Sequence, residues 1–396
     1  MEITLKEYKP TEFGLIPSDW QIKEFQDVMT GFFSGATPYR GRPEYYKGHI
    51  YWITSGELEY NVITDTIEKI TEEAVRNTNL KILPKGTFLF AITGLEAEGT
   101  RGSCAITGVN ATTNQSCMAL FPLENLDVNY LYHYYVWKGK PLAIRYCQGT
   151  KQQSYTGKIA RKLPIILPAT KTEQTAIATA LSDTNALIEN LEKLIAKKRN
   201  IKQGVMQELL TGRKRLAGFN GEWMKIKLGD ICDIRKGQLI TEKTAAGGEF
   251  PVIAGGINPS YFHNRPNRGK NTITISASGA NAGYVSFHRN PIFASDCSTI
   301  EEKGTFNIVY IFFLLQLFQK KIFKLQTGGA QPHVYPEHLK PLELVFPQEV
   351  TEQDAIANIL IDIDEELSGL EKQMNKYQLI KQGMMQKLLT GKIRLV

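Results

Sequence analysis

Residues 201–216 read IKQGVMQELLTGRKRL, and residues 380–395 read IKQGMMQKLLTGKIRL. The two stretches stand 179 positions apart, and the same offset carried back without a gap aligns Thr172-Glu173-Gln174 with Thr351-Glu352-Gln353 and Pro168 with Pro347. About 24 of the 45 positions from 172 to 216 match their counterparts, which identifies an internal duplication. A second echo, Asp19-Trp20 against Glu222-Trp223, precedes each large intervening segment at an offset of 203. The order is therefore variable segment, repeat, variable segment, repeat.

Each repeat has the periodicity of a long helix. Ile177, Leu181, Ile188, Leu191 and Ile195 mark a 4-3 stripe in the first copy, followed after a shift of phase by Ile201, Val205 and Leu209. Ile356, Leu360, Ile363, Leu367, Leu370 and Met374 mark it in the second. That spacing is the seam of a coiled coil. Thr170 and Glu173 have capping-box spacing, and Gly212 and Gly391 stand where a left-handed C-terminal residue is wanted. At 1.5 Å per residue, about 38 residues make a rod near 57 Å long. A helix with such a seam needs a partner, and the other copy is the obvious one, paired antiparallel. The basic runs Lys197-Lys198-Arg199 and Arg213-Lys214-Arg215 are expected on a solvated helix face or at its C-terminal end.

The expected class is α+β: two mixed α/β segments joined by two long helices with a pseudo-two-fold repeat. The boundaries read 1–168, first globular segment; 169–216, first helix; 217–347, second globular segment; 348–396, second helix. Strand-like alternation occupies Thr87–Ile92 and Thr272–Ile275, and each segment closes on an apolar helix, 129–146 and 308–325. Tyr132, Tyr135, Trp137, Phe312, Phe313 and Phe318 lie at helical spacing there, which assigns them to core packing rather than to base stacking.

Composition sets limits on function. A net charge of +7 permits a nucleic-acid partner without requiring one. Five cysteines with no C-x-x-C spacing argue against a disulfide framework or a zinc site and for a reducing compartment. The first residues lack a signal-peptide core, and the longest apolar run, 308–317, is too short to span a bilayer, so a cytoplasmic protein with no membrane partner is expected. No Gly-Lys pair is followed by Ser or Thr, which excludes a phosphate-binding loop, and Asn258-Pro259 and Asn290-Pro291 lack the continuation of an amino-methyltransferase motif. The six histidines show no metal-ligand spacing. The expectation is therefore no catalytic residue, no metal and no resident cofactor.

The pattern E-Q-x-x-I-A-x-x-L-x-D at 173–183 and 352–362, followed each time by I-K-Q-G-x-M-Q-x-L-L-T-G, resembles the conserved regions of the specificity subunits of type I restriction–modification systems. Segment openings are similar too, among them Ile16-Pro17-Ser18-Asp19-Trp20, Leu83-Pro84-Lys85-Gly86-Thr87, Ser278-Gly279-Ala280 and Ala294-Ser295-Asp296-Cys297. The resemblance spans essentially the whole chain. It implies that each globular segment is a target-recognition domain for one half of a split site on double-stranded DNA. It further implies that the helices dock two methyltransferase subunits and, through them, restriction subunits. S-adenosylmethionine, ATP and magnesium would then belong to those partners.

Donor-rich loops supply the candidate DNA contacts: Tyr39, Arg40, Arg42, Lys47, Arg101, Lys151, Gln152 and Gln153 in the first segment. In the second they are Tyr261, His263, Asn264, Arg265, Asn267, Arg268, Lys270, Gln331 and His333. Arginine suits guanine, asparagine or glutamine suits adenine, and lysine suits phosphate. A coiled-coil scaffold with protein-binding arms is the alternative, and salt-dependent binding to duplex DNA separates the two.

Overall fold

The computed structural model describes residues 8–304 and 306–395. The two repeats form helices of equal length, Lys171–Leu209 and Val350–Leu388, 39 residues each and related position for position by the sequence offset. Gly212 and Gly391 end them at φ of +70° and +69°, conformations that glycine adopts without the steric cost other residues bear. The expected capping box on the first helix is half present. The Glu173 amide donates to Thr170 Oγ1 at 3.2 Å, but the Glu173 carboxylate is drawn away to Arg394.

Two compact units divide the chain, and they do not coincide with the segments read from sequence. One comprises the described residues up to Asn190 together with those from Met374 onward; the other runs from Leu191 to Gln373. Each unit thus takes one globular segment and part of both helices. In the first unit Ile177 and Leu181 are fully buried and share a core with Leu388 and Leu389. In the second, Ile356 and Leu360 share a core with Met206, Leu209 and Leu210.

Helix pairing within each unit is antiparallel. In the first, Thr184 Oγ1 meets Met384 Sδ at 3.5 Å, while Glu173, earlier on its helix, meets Arg394 beyond the end of the other. In the second, Lys198 pairs with Glu366 at 2.7 Å, Arg199 with Glu371 at 2.6 Å and Lys202 with Asp364 at 2.7 Å. Lys198 is therefore held by the acidic partner helix, whereas Arg199, 64% exposed, reaches that helix from the solvated face expected of it. Arg215 likewise is not a free terminal cation: it forks onto Glu352, which is 1% exposed, at 2.6 and 2.7 Å. Seam burial follows the expected stripe at Ile188, Leu191, Ile195 and Leu367 and is only partial at Ile363, Leu370 and Met374. Ile201, placed on the seam after the phase shift, is 42% exposed; the stripe passes instead through Val205, Met206 and Leu209.

The globular parts repeat one plan. The second unit has a four-stranded sheet in the order Cys232–Lys236, Cys297–Glu302, Thr272–Ser276, Val285–His288. The first has Met29–Ser34, Cys117–Pro122, Phe88–Ala91 and Cys104–Thr107 in the same order, with Asn61–Ile63 added at the edge. Beside it, Ile50–Ile53 lies between Ala111–Thr113, parallel, and Glu68–Ile70, antiparallel. Phe250–Ile253 lies in the same way between Phe293–Ala294 and Tyr261–His263. A two-stranded ribbon follows in each: Gln21–Glu24 with Pro164–Leu167, and Trp223–Lys227 with Glu343–Pro347.

The apolar closing helix is Val128–Tyr146 in the first unit. In the second it breaks into Ile308–Leu317 and Gln319–Phe323. Tyr132, Tyr135 and Phe313 are buried, and Trp137, Phe312 and Phe318 pack half-buried against the cores, as their spacing required. Among the described residues no helix is long and apolar enough to cross a membrane.

Candidate nucleic-acid interface

The donor-rich loops divide sharply into residues whose polar groups face solvent and residues whose polar groups hold the fold together. Arg40 belongs to the second kind: its guanidinium forks onto Glu68 at 2.6 and 2.8 Å and covers the Tyr46 ring at 4.2 Å. The hydrogen-bonded arginine holds the Glu68 carboxyl below its ordinary range. Arg42 donates to the Tyr45 hydroxyl at 2.9 Å. Arg101 ties down its own loop, donating to the Leu95 and Glu96 carbonyls at 2.7 and 2.8 Å. Tyr39, which is 73% exposed, and Lys47, also exposed, remain open.

The second unit shows the same division. His263 is 8% exposed, accepts the Ala246 amide at Nδ1 and packs edge-on against Phe293. Asn267 clamps Ala294, donating to its carbonyl at 2.9 Å and accepting its amide at 2.6 Å. Arg268 donates to Thr299 Oγ1, the Asn267 carbonyl and the Lys236 carbonyl, and lies 3.3 Å from Glu301. The Tyr261 hydroxyl donates to the Ile240 carbonyl at 2.6 Å. Spent donors of this sort cannot form bidentate pairs with a base edge without giving up internal bonds. Asn264, Arg265 and Lys270 are exposed.

One pair of loops is built alike in both units. In the first, Gln148 and Ser154 exchange backbone hydrogen bonds, both at 2.9 Å, around the exposed tip Gly149-Thr150-Lys151-Gln152. This turn is fastened to the loop after strand Phe88–Ala91: the Tyr155 amide donates to the Ile92 carbonyl and the Leu95 amide to the Gln153 carbonyl. Glu96 adds a carboxylate that accepts the Gln153 amide at 2.8 Å. In the second unit, Thr327 and His333 exchange hydrogen bonds at 2.9 and 2.8 Å around Gly328-Gly329-Ala330-Gln331. The Val334 amide donates to the Ala277 carbonyl and the Gly279 amide to the Pro332 carbonyl. His333 is half-buried, with its ring stacked on that of Tyr335.

The structure thus brings Lys151, Gln152, Gln153 and Arg101 together on one two-loop platform, and Gln331 and His333 on its counterpart. The supporting residues Glu96, Ala277 and Gly279 were absent from the candidates chosen by side-chain chemistry. The 179-residue offset pairs 148–154 with 327–333 but does not reach these residues, since it sets Glu96 against Ile275; no sequence spacing signals them.

Among the described residues no group of histidine, cysteine and carboxylate side chains is placed to hold a metal ion. The five cysteines are unpaired, and burial pushes the Cys232 thiol up to about 12.

Comparison with known proteins agrees with this architecture. The Type I restriction modification DNA specificity domain matches twice, over residues 17–198 and 220–381. The chain is 26% identical to the Type I restriction enzyme MjaIX specificity subunit of Methanocaldococcus jannaschii, over 98% of this chain and 96% of that one. It is 30% identical to the EcoR124I/EcoR124II specificity subunit of Escherichia coli over 26% of this chain and 25% of that one. The fold is similar to the crystal structure of a type I restriction–modification S subunit from M. genitalium. That similarity has a TM-score of 0.69 and 20% identity, and covers 93% of this chain and 96% of that one. A second structure, solved to explain complex assembly and conformational transition of the type I R-M system, has a TM-score of 0.53 at 14% identity over 96% and 99% of the two chains. Two family domains placed on the two halves of a duplicated fold leave one assignment: the chain belongs to the type I restriction–modification specificity subunits, the non-catalytic component that recognises the DNA target.

Proposed function

We propose that each unit reads one half of a bipartite double-stranded DNA site and that the long helices set the unread gap and dock two methyltransferase subunits, through which restriction subunits join. The observation that carries this reading is the duplication itself: the same sheets and the same paired loops are built twice around parts of the same two helices. A chain with that internal symmetry offers two equivalent surfaces, and so suits two copies of one partner. Helices of 39 residues, about 58 Å long each, equal the length of about 17 base pairs, room for two short half-sites with an unread gap. S-adenosylmethionine, ATP and magnesium are assigned to the partners, and the complex to the cytoplasm.

The candidates that are exposed and have no side-chain hydrogen bond or ion pair among the described residues, Tyr39, Lys47, Lys151, Gln152, Asn264, Arg265, Lys270 and Gln331, are the preferred DNA contacts. Arg40, Arg42, Arg101, Gln153, Tyr261, His263, Asn267, Arg268 and His333 are assigned to shaping the loops that present them. Exchange of 217–347 for the same segment of a relative tests the reading. Methylome sequencing of cells that carry the chimaera with its methyltransferase should show one half-site changed and the other kept. Both halves changing together refutes modular reading.

A further inference from the structure

Between the two exposed turns, 148–154 and 327–333, the gap-free offset retains two residue types out of seven: Gly149 with Gly328 and Gln152 with Gln331. The fold accounts for the glycines. Their φ angles are +102° and +94°, and a Cβ would stand 2.2 Å from the Gln152 carbonyl oxygen in one turn and 2.7 Å from that of Gln331 in the other. Both values are far inside van der Waals contact, so the turn closes only with glycine there.

The fold does not account for the glutamines. Both are exposed, and neither side chain has a hydrogen-bond partner among the described residues. The turn closes through backbone groups, which any residue supplies at these positions. Their neighbours at the tip have drifted freely, Lys151 against Ala330 and Thr150 against Gly329. What the two turns share is a neutral amide with a donor and an acceptor, whereas the positive charge beside it is present in only one.

A phosphate contact would favour retained charge, because affinity for the backbone comes from neutralising it. A carboxamide instead matches the adjacent donor and acceptor, N6–H and N7, that adenine alone shows in the major groove. We infer that Gln152 and Gln331 are equivalent specificity residues, each reading an adenine in the half-site of its own unit. The inference rests on the DNA-reading function proposed above and names the base class that function leaves open.

Selection from a library of randomised duplexes, with the full chain in complex with its methyltransferase subunits, tests it. Wild type should select two half-sites, each containing an A·T pair at the position served by its glutamine. Gln152→Ala should relax that one position in one half-site, with cognate binding falling roughly 5- to 150-fold while duplexes already substituted there lose nothing. Gln331→Ala should do the same in the other half-site. Gln152→Glu, which keeps the shape but offers only acceptors, should move the preference at that position toward cytosine.

Melting temperatures should stay at the wild-type value, since neither side chain is buried or bonded, and this keeps specificity separate from folding. Loss that is equal across all duplexes, relaxation at a position that is not A·T, or an unchanged consensus in the variants overturns the inference. A wild-type chain that selects no consensus at all overturns the proposed function beneath it.

Discussion

Replacement of Arg394 by alanine should destabilise the N-terminal globular part, although the substitution lies next to the other end of the chain. Its guanidinium bonds to Glu173 at 2.5 and 2.9 Å and to Asp19 at 3.0 and 2.9 Å, and Glu173 is 1% exposed. The Trp20 indole adds a longer bond to the same carboxylate, 3.3 Å. Loss of the arginine strands a buried negative charge with one neutral donor, a change that costs about 3–5 kcal/mol. The partly exposed Asp19 arm adds at most about 1 kcal/mol.

For a unit of this size the loss corresponds to roughly 6–20 °C in melting temperature. Arg215→Ala provides an internal control, because Arg215 holds Glu352 by the same fork in the second unit, where Trp223 Nε1 is buried without a partner. It should cost at least as much. Urea unfolding monitored by tryptophan fluorescence and by circular dichroism reads both. The paired change Arg394→Met with Glu173→Leu should recover most of the loss, since it removes the stranded charge as well as its partner. A single variant that loses less than about 1 kcal/mol, or a paired variant no better than the single, would refute the argument from buried charge.

Two further outcomes follow from burial. His133 is 1% exposed, its Nε2 is engaged with Ser182 Oγ at 2.8 Å, and desolvation lowers its pKa to about 4. Because the unfolded chain protonates near 6.5, the contribution of His133 is full above that pH and should fall by roughly 3 kcal/mol between pH 6.5 and 4; urea midpoints across that window should show the slope, and His133→Leu should remove its share, leaving that of His288, which burial likewise lowers to about 4 in the second unit. On the seam, Leu360 is fully buried whereas Leu370 is half-buried, so Leu360→Ala should cost about 2–5 kcal/mol and Leu370→Ala under about 1.5 kcal/mol by thermal melting, and equal costs would contradict the observed burial.

The helices were legible because a seam writes itself into sequence as a period, and the duplication wrote it twice. Legibility ended where local pattern stops governing packing. Ile201 fits the period yet faces outward, because the helix buries Met206 and Leu209 instead. Leu370 and Met374 hold seam positions where cover is only partial. In the loops the limit was of another kind. Asn267 and Arg268 have the composition of surface readers, but they satisfy backbone and hydroxyl groups some thirty residues away, Ala294 and Thr299 for example. No local spacing signals a bond of that range. Gln152 and Gln331 were among the donor-rich candidates, but they stand apart from the rest only when the two copies are set side by side.

The division of the helices between the units also governs the order in which the protein can be completed during synthesis. The second unit is one continuous stretch, Leu191–Gln373, so every residue of its core has been made once Gln373 leaves the ribosome. The first unit, though begun earliest, has a core that includes Leu388 and Leu389, and Tyr8 bonds to the Gly391 carbonyl at 3.1 Å. Its closing contacts span almost the entire chain, and loops of that length close slowly and leave apolar surface open meanwhile. The half synthesised first is thus the half finished last, and removing the residues from Leu388 onward should expose the N-terminal core while leaving Leu191–Gln373 whole.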